Sequence, residues 1–242
     1  AWGCDSSIDR TAKFARLYPA TRFTQEFDDM LKDHSLDAII IATPTSSHYP
    51  LAKKALLAGK HVLIEKPMTS SYSEATELVA IAKEKNLIIA IDHTFLFTSA
   101  IEKIQELQRE NILGDLLYFD STRINLGLIQ KDCNVLWDLA VHDLSILSAI
   151  MDLRTVQTVM AVGSAHFGQH VEDAHLHLTF SSGMAAHIHC SWLSPVKLRQ
   201  TIIAGKKSMI IYDDIEPSEK IRVYDRGVDH DTTKQDPFFP KY

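Results

Sequence analysis

Three uninterrupted apolar runs, separated by helical segments, constrain the fold of the first half of the chain. The runs lie within residues 38–42, 62–64 and 87–95, and helices are predicted between them at about 48–58 and 71–86. Strands that are apolar on both faces are typical of a parallel sheet covered by helices. Alternation of strand and helix at this spacing predicts right-handed crossover units. We therefore predict an α/β domain built on a parallel sheet.

Two charged residues follow the second apolar run at the point where it ends. Glu65 and Lys66 come directly after Val62 to Ile64 and precede Pro67. A proline disfavours the helical conformation in the residue before it, so Lys66 is expected in extended geometry at the strand end. Ligands of open α/β sheets bind beyond the carboxyl ends of the strands. The placement of Lys66 therefore indicates a role in binding or catalysis.

The pattern changes after a helix predicted at 98–110 and a break at Gly114. Residues 172–192 predict a hairpin, with Gly183 at the loop position that requires a positive φ. The other elements predicted here are an alternating strand at 116–126, a helix at 137–151 and strands near 198–204, 207–213 and 219–225. We expect an antiparallel or mixed sheet with a helix packed on it, and a domain boundary near residue 113.

Composition narrows the class of protein. The chain has 242 residues and a formal net charge of −6, and no apolar stretch approaches the roughly 20 residues that cross a bilayer. An acidic chain without clustered Lys and Arg is a poor binder of nucleic acid. Cys4, Cys133 and Cys190 are too few and too widely spaced for a disulfide framework, and no secretion signal is evident. We expect a cytoplasmic protein with a small-molecule ligand and neither a nucleic-acid nor a membrane partner.

A carboxylate and an imidazole stand four residues apart in the helix predicted for the second half. Asp138 and His142 therefore project from one helical face. A neighbouring carboxylate orients an imidazole and raises its basicity, which suits a general base near neutral pH. Taken alone, the pair is more typical of a helix cap beside an ordinary surface pair.

Together, the stretches "HVLIEKP", "DHTFLF" and "WDLAVHDLSI" resemble the Gfo/Idh/MocA family of NAD(P)-dependent sugar oxidoreductases. The resemblance implies an α/β Rossmann-type parallel sheet, with its first strand missing here, followed by an α+β domain with an open, mostly antiparallel sheet. It divides the chain into a dinucleotide-binding domain at 1–113 and a domain for substrate binding and oligomerisation at 114–242. In the family the lysine of Glu-Lys-Pro and the Asp and His of the helix face the substrate beside the nicotinamide. Carried across, the catalytic residues are Lys66, Asp138 and His142.

The resemblance also implies the cofactor contacts. NAD is expected, with NADP as the alternative, because Asp5 at the end of a strand would hold the adenosine ribose hydroxyls. The glycine-rich turn that the family carries after its first strand is absent from this sequence. We therefore expect a fragment, short at the carboxyl end too, where an apolar segment at 236–242 closes the chain. The residues expected to line the rest of the dinucleotide cleft are Thr43, Pro44, His48, Glu65 and Lys66.

Two further stretches, "STRINLGLIQKDCNVLWDLAVHD" and "SWLSPVKLR", resemble a subgroup linked to nucleotide sugars. This resemblance implies hydride transfer from a hydroxyl-bearing carbon of a sugar or nucleotide sugar to nicotinamide, for example at C3 of a UDP-N-acetylhexosamine. The alternatives are a non-catalytic sugar or nucleotide sensor, and an enzyme that uses NAD transiently for isomerisation or elimination. The expected substrate contacts are His93, Arg123, Asn125, Lys131, Asn134, Lys197 and Arg199, with solvated strand ends as their alternative role.

Twelve histidines raise the question of a metal site. Pairing of Phe180 with Met184 would place four of them on one side of the hairpin, with His175 opposite His189 and His177 opposite His187. Paired rings on a flat strand face seldom converge on a metal ion, and we find no Cys or carboxylate at a usual ligand spacing. We therefore expect no metal. We expect copies of the chain to associate through this polar face. Because histidine changes charge near neutral pH, the association is expected to change at about pH 6.

Overall fold

The computed structural model describes residues 1–226. These residues form two compact units, which divide between Asp92 and His93. Each unit has its own hydrophobic core. Within residues 1–226, none of the helices combines the length and the apolar character that crossing a membrane requires. The segment 236–242 singled out in the sequence lies outside the described residues.

The first unit contains two parallel sheets connected by helices. The two-stranded sheet pairs β1 (Trp2–Cys4) with β2 (Arg22–Thr24). The three-stranded sheet has the order β3 (Ala38–Ile41), β4 (His61–Glu65) and β5 (Ile89–Asp92). The helices are α1 (Ile8–Leu17), α2 (Phe27–Leu31), α3 (His48–Leu57) and α4 (Tyr72–Glu84).

The three-stranded sheet forms where the apolar runs predict it. Ile41 of β3 lies in register with Ile64 of β4, and both are buried in one cluster with Leu56 of α3 and Leu78 of α4. Helix α3 ends at Leu57, and Gly59 follows its C-cap Ala58 with a φ of 79°, which is accessible to glycine at little cost. Because β3 and β4 run in parallel register, the residues that follow them emerge at the same edge of the sheet.

The second unit is a seven-stranded mixed sheet with helices packed against it. Helix α5 (Ser99–Arg109) comes first in the chain, and a π-helical turn (Leu136–Ala140) continues into α6 (Val141–Ser148). The strands are β6 (Leu116–Leu126), β7 (Val156–Ser164), β8 (Asp173–Phe180), β9 (Ala185–Ser191), β10 (Leu193–Gly205), β11 (Met209–Asp213) and β12 (Ile221–Tyr224). Their order is β12-β11-β10-β6-β9-β8-β7, and every neighbouring pair is antiparallel except β6 with β9. The predicted fold class is confirmed.

The predicted hairpin is present as β8 and β9. The backbone N–H of Phe180 donates to the Met184 carbonyl oxygen at 3.0 Å, and Gly183 has a φ of 86°. This register places His175 opposite His189 and His177 opposite His187, as the sequence predicts.

Helix α5 belongs to the second unit. Its Ala100, Ile101 and Ile104 are buried in the same cluster as Phe119 of β6. The division at Asp92 therefore precedes α5, whereas the boundary near residue 113 expected from the sequence follows it. The apolar periodicity of α5 identifies a buried face but does not reveal which core it joins.

Candidate active site

The carboxyl edge of β3 and β4 carries four of the residues predicted to line the dinucleotide cleft. Thr43 and Pro44 follow β3 and are exposed to solvent. Glu65 is the last residue of β4, and it and Lys66 are half-buried. The peptide bond between Lys66 and Pro67 is cis. The two loops therefore present polar and charged groups at one edge of the first unit's sheet.

The buried side chain of His48 contacts both of these loops. Its side chain is only 1% exposed, its Nδ1 lies 2.8 Å from the Pro67 carbonyl oxygen, and its Nε2 lies 2.8 Å from the Thr43 carbonyl oxygen. Both ring nitrogens thus face backbone acceptors. The direct cofactor contact expected of His48 is replaced by a different role, because the buried ring holds the loop after β3 to the loop after β4.

Asp5 lies directly after β1 at the carboxyl end of that strand. Its Oδ1 accepts a hydrogen bond from the Ser7 backbone N–H at 2.8 Å, and its Oδ2 pairs with Arg10 Nε at 2.8 Å. The Ser7 hydrogen bond, followed by the Arg10 side chain, lowers the pKa of the Asp5 carboxyl below its ordinary value. Asp5 is therefore ionised at neutral pH and can accept hydrogen bonds from hydroxyl groups.

In the second unit, Asp138 lies in the π-helical turn and is held by a residue that the sequence interpretation missed. The indole Nε1 of Trp192, which is 2% exposed, donates to Asp138 Oδ2 at 3.1 Å. Asn134, predicted to contact substrate, uses its side-chain oxygen to accept from the Trp137 backbone N–H at 3.1 Å. The side chain of Asn134 therefore caps the start of this helical segment.

His142 lies in the first turn of α6 and is half-buried. The Phe95 ring packs edge-on against it, with ring centroids 5.0 Å apart and an interplanar angle of 71°. This is a favourable arrangement for two aromatic rings. Phe95 therefore restricts the orientation of the imidazole.

Arg123 does not have the role in substrate binding that the sequence predicts. It is 3% exposed, and its Nε and Nη2 donate to Asp143 Oδ2 and Oδ1 at 2.8 and 3.0 Å. Ser121 Oγ donates to the same carboxylate at 2.8 Å, and the Arg123 guanidinium lies over the Phe95 ring at 4.6 Å. Burial disfavours the charged guanidinium, but the Asp143 carboxylate raises the pKa of Arg123 above its ordinary value. The ion pair therefore joins β6 to α6 through Asp143, the residue that follows His142.

The other residues predicted to contact substrate fall into two groups. Arg199 lies opposite Arg123 in the sheet and donates from Nη1 to Asp214 Oδ2 at 3.2 Å. Its side chain is therefore partly committed to a structural ion pair. In the second group, Lys131 and Lys197 are exposed, and His93 and Asn125 are half-buried.

Phe95, Asp143 and Trp192 are the residues that reasoning from sequence missed. One signal was available, because Asp143 falls on an apolar side of its helix, and a buried carboxylate requires a cationic partner. Phe95 and Trp192 gave no comparable signal. Their positions follow from packing between distant parts of the chain.

Known proteins with similar sequences and structures are oxidoreductases. YdgJ, an uncharacterized oxidoreductase of Escherichia coli (strain K12), is 28% identical over 89% of this chain and 64% of its own length. The UDP-N-acetylglucosamine 3-dehydrogenase of Acidithiobacillus ferrooxidans is 31% identical over 92% of this chain and 68% of its own length. A solved structure of that enzyme, GnnA, aligns with a TM-score of 0.79 at 29% identity, covering 93% of this chain and 73% of that one. The chain thus spans about two thirds of these curated relatives.

More distant structures share the fold. The WlbA dehydrogenase from Bordetella pertussis, solved in complex with NADH and UDP-GlcNAcA, aligns with a TM-score of 0.85 at 16% identity, over 97% of this chain and 71% of that one. Two family models cover most of the sequence. Residues 4–93 match the oxidoreductase family with an NAD-binding Rossmann fold, and residues 101–211 match the GFO/IDH/MocA C-terminal domain. The chain therefore belongs to the GFO/IDH/MocA family of oxidoreductases.

Proposed function

We propose that this protein is an NAD-dependent dehydrogenase that oxidises a hydroxyl-bearing carbon of a sugar or nucleotide sugar. The observation that carries the proposal is the way Asp138 and His142 are held. Both lie at the start of one helical segment, and each is fixed by an aromatic side chain from a distant part of the chain, Trp192 or Phe95. Catalysis requires the side chains of an acid–base pair to be held in a fixed orientation, and these two aromatic contacts provide that support.

The residues at the strand ends of the first unit fit NAD. The ionised Asp5 supplies acceptors for the two hydroxyls of an adenosine ribose and disfavours the 2′-phosphate of NADP. Thr43 and Pro44 are exposed at the carboxyl edge of the three-stranded sheet, where dinucleotides bind in this fold class. NAD, when bound, supplies the hydride acceptor.

His142 is the proposed general base, taking the proton of the substrate hydroxyl at a ring nitrogen. Asp138 orients the imidazole and stabilises its protonated form, while Trp192 fixes the carboxylate through Oδ2. Lys66 donates a hydrogen bond to the substrate oxygen as it becomes a carbonyl. The proton thus goes to the base, and the electron pair leaves with the hydride.

A nucleotide sugar is the proposed substrate, with oxidation at C3 of a UDP-N-acetylhexosamine as the specific case. This choice is supported by the activity named for the relative from Acidithiobacillus ferrooxidans. Lys197 is exposed on β10 and is the residue proposed to meet a diphosphate. Asn125 and His93, both half-buried, are proposed to meet sugar hydroxyls.

The test compares wild-type protein, His142→Ala and the control His166→Ala, which removes an exposed histidine of the same unit. NADH formation is followed with a panel of sugars and UDP-sugars, and NAD binding is titrated separately. We expect His142→Ala to lower turnover by about 10²-fold or more with NAD affinity nearly unchanged, and His166→Ala to behave as wild type. Unchanged turnover in His142→Ala would remove His142 from the mechanism. Product without net NADH would favour transient use of NAD, and binding without product would favour a sensor.

We also propose that the open face of the second unit's sheet forms a homo-oligomer. Met160 and Val162 of β7 are 59% and 64% exposed on this face, beside the four histidines of β8 and β9. A charge in such a patch opposes its burial between copies. Val162→Glu should lower the mass measured by analytical ultracentrifugation, whereas Val79→Glu on α4 should not. An unchanged mass in Val162→Glu would exclude this face.

A further inference from the structure

Three side chains with metal-binding atoms converge on the open face of the second unit's sheet. His175 of β8 lies directly opposite His189 of β9, and Asp173 stands two residues before His175 on the same side of its strand. His189 Nε2 lies 3.1 Å from Asp173 Oδ1, and the two imidazole rings stack with centroids 4.1 Å apart. One donor atom from each of the three residues lies within 4.8 Å of the others.

We propose that Asp173, His175 and His189 form a binding site for a divalent transition-metal ion of the zinc type. Two neutral imidazoles and one carboxylate are a donor set that suits zinc and its neighbours and does not suit magnesium or calcium, which require oxygen ligands. Water would complete the coordination where this face is open to solvent, and in the homo-oligomer proposed above the site would lie at the interface between copies. The site plays no part in the reaction proposed above, and all three donors come from one copy of the chain.

The carboxylate distinguishes this arrangement from the four-histidine pattern expected from the sequence. That pattern lacked an acidic ligand because it considered only residues directly opposite each other, whereas Asp173 lies opposite Ser191 and meets His189 diagonally. Asp173 Oδ1 already lies 3.1 Å from His189 Nε2, so the carboxylate stands beside the imidazole pair where a third ligand is required.

The distances allow the three donors to reach one ion with small movements. Zinc binds nitrogen and oxygen ligands at about 2.0–2.2 Å, and donors no more than 4.8 Å apart can reach such a common point by side-chain rotation. The stacked rings of His175 and His189 must turn about χ2 so that a nitrogen of each points to the ion. His175 is exposed and its ring borders a groove of about 400 Å³, so the rotation meets little obstruction.

The second histidine pair on the same face provides a matched control. His177 and His187 also lie opposite each other, with their Nδ1 atoms 3.1 Å apart and their rings tilted by 44°. Among residues 1–226, this pair is not joined by a third side chain with a ligand atom as close as Asp173 is to the first pair. Asp120 of β6 is in register with His187 and borders the same groove, so the two pairs differ in how close a carboxylate oxygen comes to the imidazole nitrogens.

The experiment measures zinc binding to chelator-treated full-length chain by isothermal titration, with magnesium as a second probe. We expect about one zinc ion per chain and no saturable binding of magnesium. Asp173→Asn and His189→Ala should each weaken zinc binding by at least about tenfold, since even residues that only support ligands cost that much when replaced. His177→Ala should bind zinc as wild type does. Far-UV circular dichroism confirms that each variant is folded before titration.

Three results would overturn the proposal. The first is the absence of saturable zinc binding to wild-type protein. The second is an affinity unchanged in a folded Asp173→Asn variant, which would show that the carboxylate is not a ligand. The third is an equal loss in His177→Ala, which would show that zinc binds the histidine face without selecting the pair that has the carboxylate.

Discussion

The indole N–H of Trp192 donates to Asp138 Oδ2 at 3.1 Å and so connects the strand end after β9 to the π-helical turn before α6. The indole is nearly inaccessible to water, and the Trp192 backbone N–H donates to the Glu172 carbonyl oxygen at 3.0 Å. Asp138 is thereby fixed by a residue that has little freedom of its own. We assign Trp192 as a positioning residue for the proposed base His142.

Replacing Trp192 by phenylalanine tests this assignment, because an aromatic ring remains while the hydrogen bond to Asp138 is lost. The smaller ring also leaves a cavity, so kcat is compared where the variant is fully folded. A hydrogen bond to a charged group contributes about 1.5–3 kcal/mol, so kcat should fall by roughly 10- to 100-fold. KM for NAD should not change, since no cofactor contact is altered. Trp137→Phe, at a partly exposed indole in the same helical segment, is the control and should leave kcat unchanged. Equal kcat values in the two variants would show that the indole serves packing alone.

Arg123 and Asp143 form a buried ion pair whose loss should destabilise the fold. Removing one partner leaves the other charge buried without compensation, which costs about 3–5 kcal/mol. We therefore expect Arg123→Met and Asp143→Asn each to lower the free energy of unfolding by that amount in urea titrations. Arg154→Met breaks an ion pair with Asp152 in which the arginine side chain is 91% exposed, and should leave the free energy of unfolding nearly unchanged.

A double variant separates the ion pair from packing around it. In Arg123→Met/Asp143→Asn neither charge remains, so the free energy of unfolding should recover part of the loss seen in the single variants. If the double variant is as unstable as the sum of the two single variants, the two residues act independently and the interpretation of a coupled pair is wrong.

The sequence predicts the elements whose signals are local. The apolar runs of β3 and β4 and the hairpin loop at Gly183 need only their own neighbours to be recognised, and both were found where predicted. Arg123 was misassigned because its partner Asp143 lies 20 residues away and becomes a neighbour only after β6 and α6 pack. His48 likewise meets the Pro67 carbonyl across 19 residues. A charged or polar side chain in a short stretch of sequence does not reveal whether folding will bury it.

The cofactor role of Asp5 predicts a change in preference between NAD and NADP. Asp5→Ser removes the carboxylate that would bind the ribose hydroxyls and repel a 2′-phosphate. The ratio of NAD affinity to NADP affinity should fall by about tenfold or more, as fluorescence titrations of both cofactors would show. Asp9→Ser removes an exposed acid of α1 and is the control. A ratio that changes equally in both variants would mean that the general negative charge of this region, and not Asp5 itself, sets the preference.

The position of His48 predicts that one substitution will lower both the stability of the first unit and its affinity for NAD. The His48 ring places a nitrogen 2.8 Å from the Pro67 carbonyl oxygen and another 2.8 Å from the Thr43 carbonyl oxygen, and a glutamine side chain, with a single nitrogen, cannot occupy both positions. A buried polar group left without a partner costs about 1–3 kcal/mol, so His48→Gln should lower the free energy of unfolding by that amount. NAD should also bind more weakly, because the loops that carry Thr43 and Lys66 are no longer tied together. His34→Gln changes an exposed histidine of the same unit and should alter neither quantity. A His48→Gln variant that is less stable but binds NAD as tightly as wild type, measured where it is fully folded, would limit His48 to a structural role.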